Sequence, residues 1–209
     1  MYTLYYSPGS CSLLIHCLLE ELGVPFELKQ VDLDGGEHRG EAYRRINSKG
    51  KVPALVTPEG VLTECAALVE HLCDRHDDGM LLGKPGTWQR SKTLEQVATL
   101  ATEIQPLFGR FFHADDFSDA DAVQGAVKAR GAEKLIAWFR EQDASLRTPY
   151  WSGETLTIAD HYFMVATRWG RWLDPPVTRM KNLEGFMQRM GARPAVARAM
   201  AREGVTPFS

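Results

Sequence analysis

The sequence changes character once, close to residue 80, and this change limits the folds that the chain can adopt. Before that point strand and helix patterns alternate: Tyr2–Tyr6 has strand character, Cys11–Leu22 has helical spacing, and Phe26–Leu33 alternates as a second strand. From Thr87 onward only helical patterns remain. The sequence therefore predicts a mixed α/β domain over 1–77, a linker over 78–86 and an all-helical domain over 87–209.

Further elements follow from the same kinds of signal. The segment "KVPALVTPEGVLTE" predicts a hairpin with strands Ala54–Thr57 and Val61–Thr63, followed by a helix over Glu64–Arg75. Thr157 stands three residues before Asp160, a capping-box pattern that predicts the start of a helix. The predicted helices of the second region are Thr87–His113, Ala120–Leu146, Ile158–Trp172 and two shorter ones near Leu183 and Ala195.

Composition excludes several classes of partner. The formal net charge is −3 and no cluster of lysine and arginine occurs, which argues against nucleic acid or an acidic membrane surface as a partner. The longest apolar run, Cys11–Leu19, is too short to span a bilayer. The first residues, "MYTLYYS", lack the basic and apolar regions of an export signal. We therefore expect a cytoplasmic protein.

The four cysteines all lie in the first third of the chain, at Cys11, Cys17, Cys65 and Cys73. None forms a Cys-x-x-Cys pair, and no His-Glu-x-x-His motif occurs. In a reducing compartment these residues are expected to be free thiols, and no metal site is predicted.

Cys11 carries the clearest chemical signal. In "YYSPGSCSLLIH" a strand ends at Tyr6, a Ser-Pro-Gly break follows, and Cys11 then opens a helix. The unpaired N–H groups and the dipole of a helix N-terminus favour an anion, so this position lowers the pKa of a thiol. The alternative interpretation is a small residue packed against the loop.

Two other junctions have the character of ligand sites. Val52 precedes Pro53 at the entrance to a strand, where a cis peptide bond and an ordinary trans loop are both compatible with the sequence. A cis bond there would expose the Val52 backbone to an extended peptide ligand. Thr63 and Glu64 lie between a strand and a helix, where backbone N–H groups bind a carboxylate and Glu64 can take an ammonium group. Alternatively, Glu64 only favours the helix N-terminus.

Three segments in the right order carry a resemblance to a known family: "YYSPGSCSLLIH", "INSKGKVPALVTPEGVLTE" and "LTIADHYF". Over essentially its whole length the sequence resembles the cytosolic glutathione transferases, most of all the bacterial beta class. The resemblance implies an α/β plus all-α fold, with a thioredoxin-like N-terminal domain followed by an all-helical C-terminal domain. It also implies a homodimer that uses glutathione as co-substrate, without a metal.

The same resemblance implies roles for particular residues. The catalytic candidates that would flank the glutathione sulfur are Cys11, Ser12 and Tyr6. The expected glutathione-binding residues are Ser10, Lys51, Val52, a cis Pro53, Glu64 and Cys65. Core packing explains most of the aromatic residues at helical spacing, and the candidates for an electrophile pocket are Phe108, Phe112 and Trp169.

The sequence departs from the beta-class pattern at three positions. Cys65 stands where such enzymes usually have serine or glycine, Gln105 replaces a histidine, and Ala98 replaces an asparagine. A glutamine cannot act as a base near neutral pH. These changes bear on the mechanism of the class and leave the fold expectation unaltered.

The leading functional hypothesis is a glutathione S-transferase that activates the glutathione thiolate for attack on a small hydrophobic electrophile held between the domains. A second hypothesis is glutathione-dependent chemistry at Cys11, such as disulfide exchange, dehalogenation or peroxide reduction, which would be monothiol because no Cys-x-x-Cys partner exists. A third is a non-catalytic protein that binds glutathione or another ligand.

Overall fold

The computed structural model covers all 209 residues and has one four-stranded sheet. The spatial order is β2-β1-β3-β4: β2 runs parallel to the central β1, whereas β3 runs antiparallel to β1 and forms a hairpin with β4. The strands are β1 Tyr2–Tyr6, β2 Phe26–Gln30, β3 Ala54–Thr57 and β4 Gly60–Thr63. Because β1 and β2 are parallel, a helix must cross the sheet between them.

That crossover helix, α1, spans Ser12–Leu22 and ends where Gly23 adopts the left-handed conformation that glycine allows at a helix C-terminus. A short α2, Glu41–Arg44, precedes the hairpin, and α3, Cys65–His76, follows it. This strand–helix–strand unit joined to a hairpin and a helix is a thioredoxin-like domain. The N-termini of α1 and α3 both follow β-strands and lie on the same side of the domain as the segment before β3.

The rest of the chain is helical. Its helices are α4 Trp88–Thr99, α5 Gln105–Phe112, α6 Asp121–Ser145, α7 Ile158–Trp169, α8 Lys181–Gly191 and α9 Pro194–Glu203. The capping box predicted at Thr157 and Asp160 is present at the start of α7. None of the helices combines the length and the apolar character needed to cross a membrane.

Three predicted elements differ from the observed ones at their boundaries. The helix predicted over Thr87–His113 is interrupted by a π-helical turn at Leu100–Ile104, which separates α4 from α5. The strand predicted to reach Leu33 ends at Gln30, and the chain then turns. The predicted Ile158–Trp172 helix tightens into a 3₁₀ turn after Trp169. Apolar periodicity does not report such local changes in helical hydrogen bonding.

One hydrophobic cluster extends through both parts of the chain. It includes Leu4 and Leu13 from the sheet and α1, and Phe163, Met164 and Phe186 from the helical part, all of them buried. The two regions therefore share a continuous core and pack as one unit. Burial of this kind supplies most of the driving force for folding.

Ion pairs connect α1 to the helical region at the edge of this core. The Glu21 carboxylate accepts hydrogen bonds from Arg193 at 2.9 Å and 3.1 Å and lies 3.1 Å from Nε2 of His161. Burial alone would raise the pKa of Glu21, but hydrogen bonds to His161 and Arg193, together with their charges, lower this pKa to about 2. The ionised form of Glu21 is therefore strongly favoured by the folded state.

This shift predicts acid sensitivity. Since the folded-state pKa lies below the ordinary value of 4.5, Glu21 stabilises the fold above that value, and its contribution is lost as the pH falls toward 2. At about 1.4 kcal/mol per pKa unit, the full contribution is on the order of 3 kcal/mol. Urea unfolding of Glu21→Gln should show a large loss at neutral pH that shrinks in acid, whereas exposed Glu154→Gln should have little effect at either pH. A loss that does not change with pH would contradict this prediction.

Candidate active site

The site is centred on Cys11, the residue that precedes the first turn of α1. The first backbone N–H groups of α1 are bonded within the turn: that of Ser12 to the Ser10 hydroxyl at 3.2 Å and that of Leu13 to the Ser10 carbonyl oxygen at 3.1 Å. The helix dipole and the N–H of Cys11 itself still favour an anion at this place. The Cys11 thiol donates a hydrogen bond to the carbonyl oxygen of Val52 at 3.2 Å. Cys11 is half-buried, whereas the other three cysteines are buried.

The surroundings of Cys11 favour its thiolate. Hydrogen bonding from the Cys65 side chain has the largest effect and lowers the pKa of the Cys11 thiol. Burial opposes this change, and the negative charge of Glu64 also raises the pKa. Hydrogen bonds from the backbone N–H of Cys11 and from the side chain of Gln105 lower the pKa further, and the net shift is downward.

The loop before Cys11 is held by the helical part of the chain through the peptide groups of Gly9. Its N–H donates to Glu203 at 2.8 Å, and its carbonyl oxygen accepts from the indole N–H of Trp169 at 2.9 Å and from Arg168 at 3.3 Å. Gly9 has φ +67°, and a Cβ there would collide with the Arg168 guanidinium, so only glycine fits.

The other Glu203 oxygen lies 2.8 Å from Nδ1 of His16, so this fully buried carboxylate has a partner on each side.

Ser10 and Ser12 form a small hydrogen-bond network inside the same loop. Their hydroxyl oxygens are 2.7 Å apart, and the Ser12 hydroxyl also donates to the Ser7 carbonyl oxygen and accepts from the Ser7 N–H, both at 3.2 Å. Ser12 is completely buried, whereas Ser10 is partly exposed. The hydroxyl of Ser12 therefore stabilises the turn before α1, and its hydrogen bonds are used within the loop.

Tyr6 is buried beside α1 and α9. Its ring lies 6.2 Å from that of His16, and burial, followed by the negative charge of Glu203, raises the pKa of the phenol; the positive charge of Arg202 acts in the opposite direction. The phenol thus lies near Glu203 and Arg202 of α9, and no hydrogen bond joins its hydroxyl to Cys11.

The second side of the site is the segment Lys51–Pro53. The Val52–Pro53 peptide bond is cis, one of the two alternatives that the sequence allows. The Lys51 carbonyl oxygen accepts a hydrogen bond from Tyr43 at 2.8 Å, while the Lys51 side chain is exposed. Val52 lies outside the strands, and none of the backbone hydrogen bonds outside helices and strands uses its N–H.

Glu64 and Cys65 form the third side, where β4 ends and α3 begins. Glu64 is the one non-glycine residue with positive φ, at 71°. Such a conformation is strained for a residue with a side chain, and strain of this kind is concentrated at functional sites. The Glu64 carboxylate is exposed and pairs with Lys49 at 2.6 Å. Cys65 is the first residue of α3, and its thiol donates toward the Cys11 carbonyl oxygen at 3.9 Å.

The helical region adds Gln105 and Tyr162 to the site. Gln105 opens α5 directly after the π-helical turn, a type of insertion that often occurs at functional sites because it redirects the following side chains. The Tyr162 hydroxyl donates a hydrogen bond to Oε1 of Gln105. With its oxygen occupied, the amide presents N–H donors, and hydrogen bonding by this side chain lowers the pKa of Cys11. Tyr162 is not among the site residues predicted from the sequence.

The three aromatic residues predicted for an electrophile pocket are neighbours. Phe108 is buried, stacks on Phe112 with ring centroids 5.8 Å apart, and meets Trp169 edge to face at 5.3 Å. Phe112 is 41% exposed, so the cluster reaches the surface. Because Trp169 also holds Gly9, this apolar cluster adjoins the loop that leads to Cys11.

Residues 4–84 match the family model described as "Glutathione S-transferase, N-terminal domain". The chain is 35% identical, over 97% of its length and 98% of the relative's, to glutathione S-transferase GstA of Escherichia coli O157:H7. The chain belongs to the glutathione S-transferase family.

Solved structures of the family agree with the fold. A bacterial beta class glutathione S-transferase of Sphingomonas chungbukensis superposes with a TM-score of 0.85 at 28% identity, and the match covers 98% of this chain and all of that one. A sphingomonad glutathione S-transferase complexed with glutathione superposes with a TM-score of 0.84 at 29% identity and the same coverage. The prediction of a thioredoxin-like domain followed by a helical domain is therefore confirmed.

The geometry of this family member predicts a ranking of its four thiols. Cys11 is partly exposed and has a lowered pKa. Burial raises the pKa of Cys17 well above its ordinary value and that of Cys73 to about 12. Hydrogen bonding to Cys11 raises the pKa of Cys65 well above its ordinary value. Because the thiolate is the reactive form, brief iodoacetamide treatment at neutral pH should label Cys11 first, as read by peptide mass mapping. Faster labelling of Cys17 or Cys73 in the folded protein would contradict the proposed environment of Cys11.

Proposed function

We propose that this family member is a glutathione S-transferase that binds glutathione with its sulfur beside Cys11 and transfers it to a small hydrophobic electrophile. The observation that carries the proposal is the convergence on Cys11 of the N-terminus of α1, the Cys65 thiol and the Gln105 amide. These groups favour a negatively charged sulfur at this place. A thiolate, whether of Cys11 or of bound glutathione, gains the same stabilisation there.

The ends of the tripeptide would be bound by backbone and side-chain groups of the first domain. Val52, before the cis Pro53, offers a backbone N–H for an extended peptide. Lys51 and Ser10 directly precede Val52 and Cys11, the two residues that the 3.2 Å hydrogen bond joins, and we assign both to the glutathione site. At the other end, the N-terminus of α3, which begins at Cys65, suits the γ-glutamyl carboxylate.

Glu64 would bind the γ-glutamyl ammonium group. Its strained backbone directs an exposed carboxylate into solution beside the start of α3, where this carboxylate is paired with Lys49. A buried or structural glutamate would not need that conformation. We therefore assign Glu64 a ligand-binding role over the alternative of a purely helix-stabilising one.

The contacts of the three catalytic candidates favour Cys11. The hydroxyl of Ser12 is fully used inside the loop, and the phenol of Tyr6 has a raised pKa and faces α9. In the proposed reaction the glutathione thiolate forms a C–S bond to the electrophile, whose leaving group takes the bonding electron pair. Phe108, Phe112 and Trp169 would hold the apolar part of that electrophile.

The finer assignments rest on the resemblance to relatives. Structural similarity to a beta class enzyme supports membership of that class. A homodimeric assembly, a cytoplasmic location and a role in detoxification are proposed on the same basis. We also propose the domain limits 1–77 and 87–209 with a linker between them, and the end of α3 at His76 and the start of α4 at Trp88 support this proposal.

Glutathione binding tests the central proposal. Calorimetry should detect binding of glutathione and much weaker binding of cysteinylglycine, which lacks the γ-glutamyl group. Glu64→Gln should weaken glutathione binding by at least tenfold, about 1.4 kcal/mol, and leave cysteinylglycine binding unchanged. Exposed Glu95→Gln is the matched control and should have no effect. Absence of heat and of any glutathione-dependent rise in melting temperature would disprove the proposal.

The roles of Gln105 and Tyr162 are tested by the pH dependence of transfer to an activated aryl chloride. Tyr162→Phe removes the donor that orients the Gln105 amide, so the thiolate loses stabilisation and the profile of kcat/KM should move to higher pH. Gln105→Ala should produce a similar shift, and the double variant should shift little further because both changes remove one interaction. Tyr2→Phe removes a hydroxyl that bonds His76 instead and should leave the profile unchanged. Additive shifts would show that Tyr162 does not act through Gln105.

A further inference from the structure

A second thiol lies next to Cys11, although it is 54 positions away in the sequence. Cys65 begins α3, Cys11 precedes α1, and the Cys65 thiol donates toward the Cys11 carbonyl oxygen at 3.9 Å. The two helix N-termini thus face each other across the site. The remaining cysteines belong to the interiors of the same helices: Cys17 is completely buried in α1, and Cys73 is buried in the last turns of α3.

The two thiols differ in access. Cys11 is partly exposed beside the proposed position of the glutathione sulfur, whereas Cys65 is only 7% exposed. An incoming disulfide can therefore reach Cys11, and Cys65 is placed to react only with a sulfur that is already attached to Cys11. This is the arrangement of a nucleophilic thiol and a resolving thiol.

We propose that Cys11 and Cys65 act together as a dithiol that reduces glutathione disulfide and similar small disulfides. First, the Cys11 thiolate attacks one sulfur of glutathione disulfide, the S–S bond breaks, and one glutathione thiolate leaves. Next, the sulfur of Cys65 attacks the Cys11 sulfur of the mixed disulfide, and the second glutathione leaves with the proton that Cys65 loses. The disulfide is reduced to two glutathione molecules while the two cysteines are oxidised to one Cys11–Cys65 disulfide.

The electrostatics agree with this division of roles. Hydrogen bonding between the two side chains lowers the pKa of Cys11 and raises that of Cys65 well above its ordinary value. Cys65 thus remains protonated and does not compete for the incoming disulfide, and its proton is available to the departing glutathione. Once Cys11 is part of a mixed disulfide, it no longer carries the negative charge that holds the proton on Cys65.

This activity goes beyond transfer to an electrophile, although its glutathione-dependent form rests on the glutathione site proposed above. Two molecules of glutathione reverse the steps and restore the dithiol. While the Cys11–Cys65 disulfide is present, Cys11 cannot form a thiolate and Cys65 has no S–H to donate to a glutathione thiolate. The oxidised protein should therefore lose most of its transferase activity until it is reduced.

Intact-mass measurement and peptide mapping test the proposal with the reduced full-length protein. Samples are treated with a slight excess of glutathione disulfide or of hydroxyethyl disulfide, acid-quenched at intervals and alkylated after denaturation. The variants are Cys65→Ser and Cys65→Ala, which remove the resolving thiol with small changes in volume, and Cys11→Ser, which removes the nucleophile. Cys73→Ser is the control, since it removes a buried thiol outside the site.

We expect the wild-type protein and Cys73→Ser to lose two hydrogens in mass and to yield one cross-linked peptide that contains Cys11 and Cys65. Both Cys65 variants should instead retain one glutathionyl group on Cys11, and Cys11→Ser should not react. If the wild type accumulates the mixed disulfide as the Cys65 variants do, and Cys65 remains open to alkylation, the proposal is wrong.

The second reagent separates this proposal from the proposed function. Hydroxyethyl disulfide does not require a glutathione site, so the cross-link should form with it even in a protein that binds no glutathione. A cross-link with hydroxyethyl disulfide alone would support the dithiol and contradict glutathione binding. Glutathione binding to the reduced protein without any cross-link would contradict only the dithiol.

Discussion

The peptide groups of Gly9 are the point on which the rest of the site depends. The Glu203 carboxylate accepts a hydrogen bond from the Gly9 N–H, and the Trp169 indole donates one to the Gly9 carbonyl oxygen. Helices α9 and α7 therefore position the loop that precedes Cys11. Glu203 is fully buried, and a buried carboxylate is tolerated only where hydrogen-bond partners replace its water. The Gly9 N–H and His16 are those partners. The packing of the helical region therefore fixes the position of the loop that leads into α1.

The chemistry proposed at Cys11 relies on hydrogen-bond donors and assigns no residue as a base. Gln105 cannot take up a proton near neutral pH, but its amide N–H groups can stabilise a sulfur anion, and Tyr162 fixes the amide in the orientation that does so. The Cys65 side chain adds another donor from the facing helix. This arrangement explains how a chain that lacks the histidine of the beta class can keep an acidic thiol site. It also brings together two cysteines, which a monothiol mechanism does not require.

Much of the fold was predictable because local physics determines it. Apolar periodicity located nearly every helix and strand, and the capping box at Thr157 was readable from residue types alone. The interactions that complete the site join residues distant in sequence: Gly9 and Glu203 are 194 positions apart, and Gln105 and Tyr162 are 57 apart. No spacing rule connects such residues. Ser12 and Tyr6 show the converse, since the resemblance to the family implied a catalytic role that the hydrogen bonds of Ser12 and the raised pKa of Tyr6 do not favour.

The sequence by itself determined the order of the elements, the division into a mixed domain and a helical one, and the placement of Cys11 at the start of a helix. These properties follow from patterns within a few turns of chain, where side-chain periodicity and turn residues act directly. Only the tertiary structure decided which groups surround that thiol. The pKa of Cys11 and the pairing with Cys65 depend on desolvation and hydrogen bonds between separate helices, which exist only once the shared core has brought those helices together.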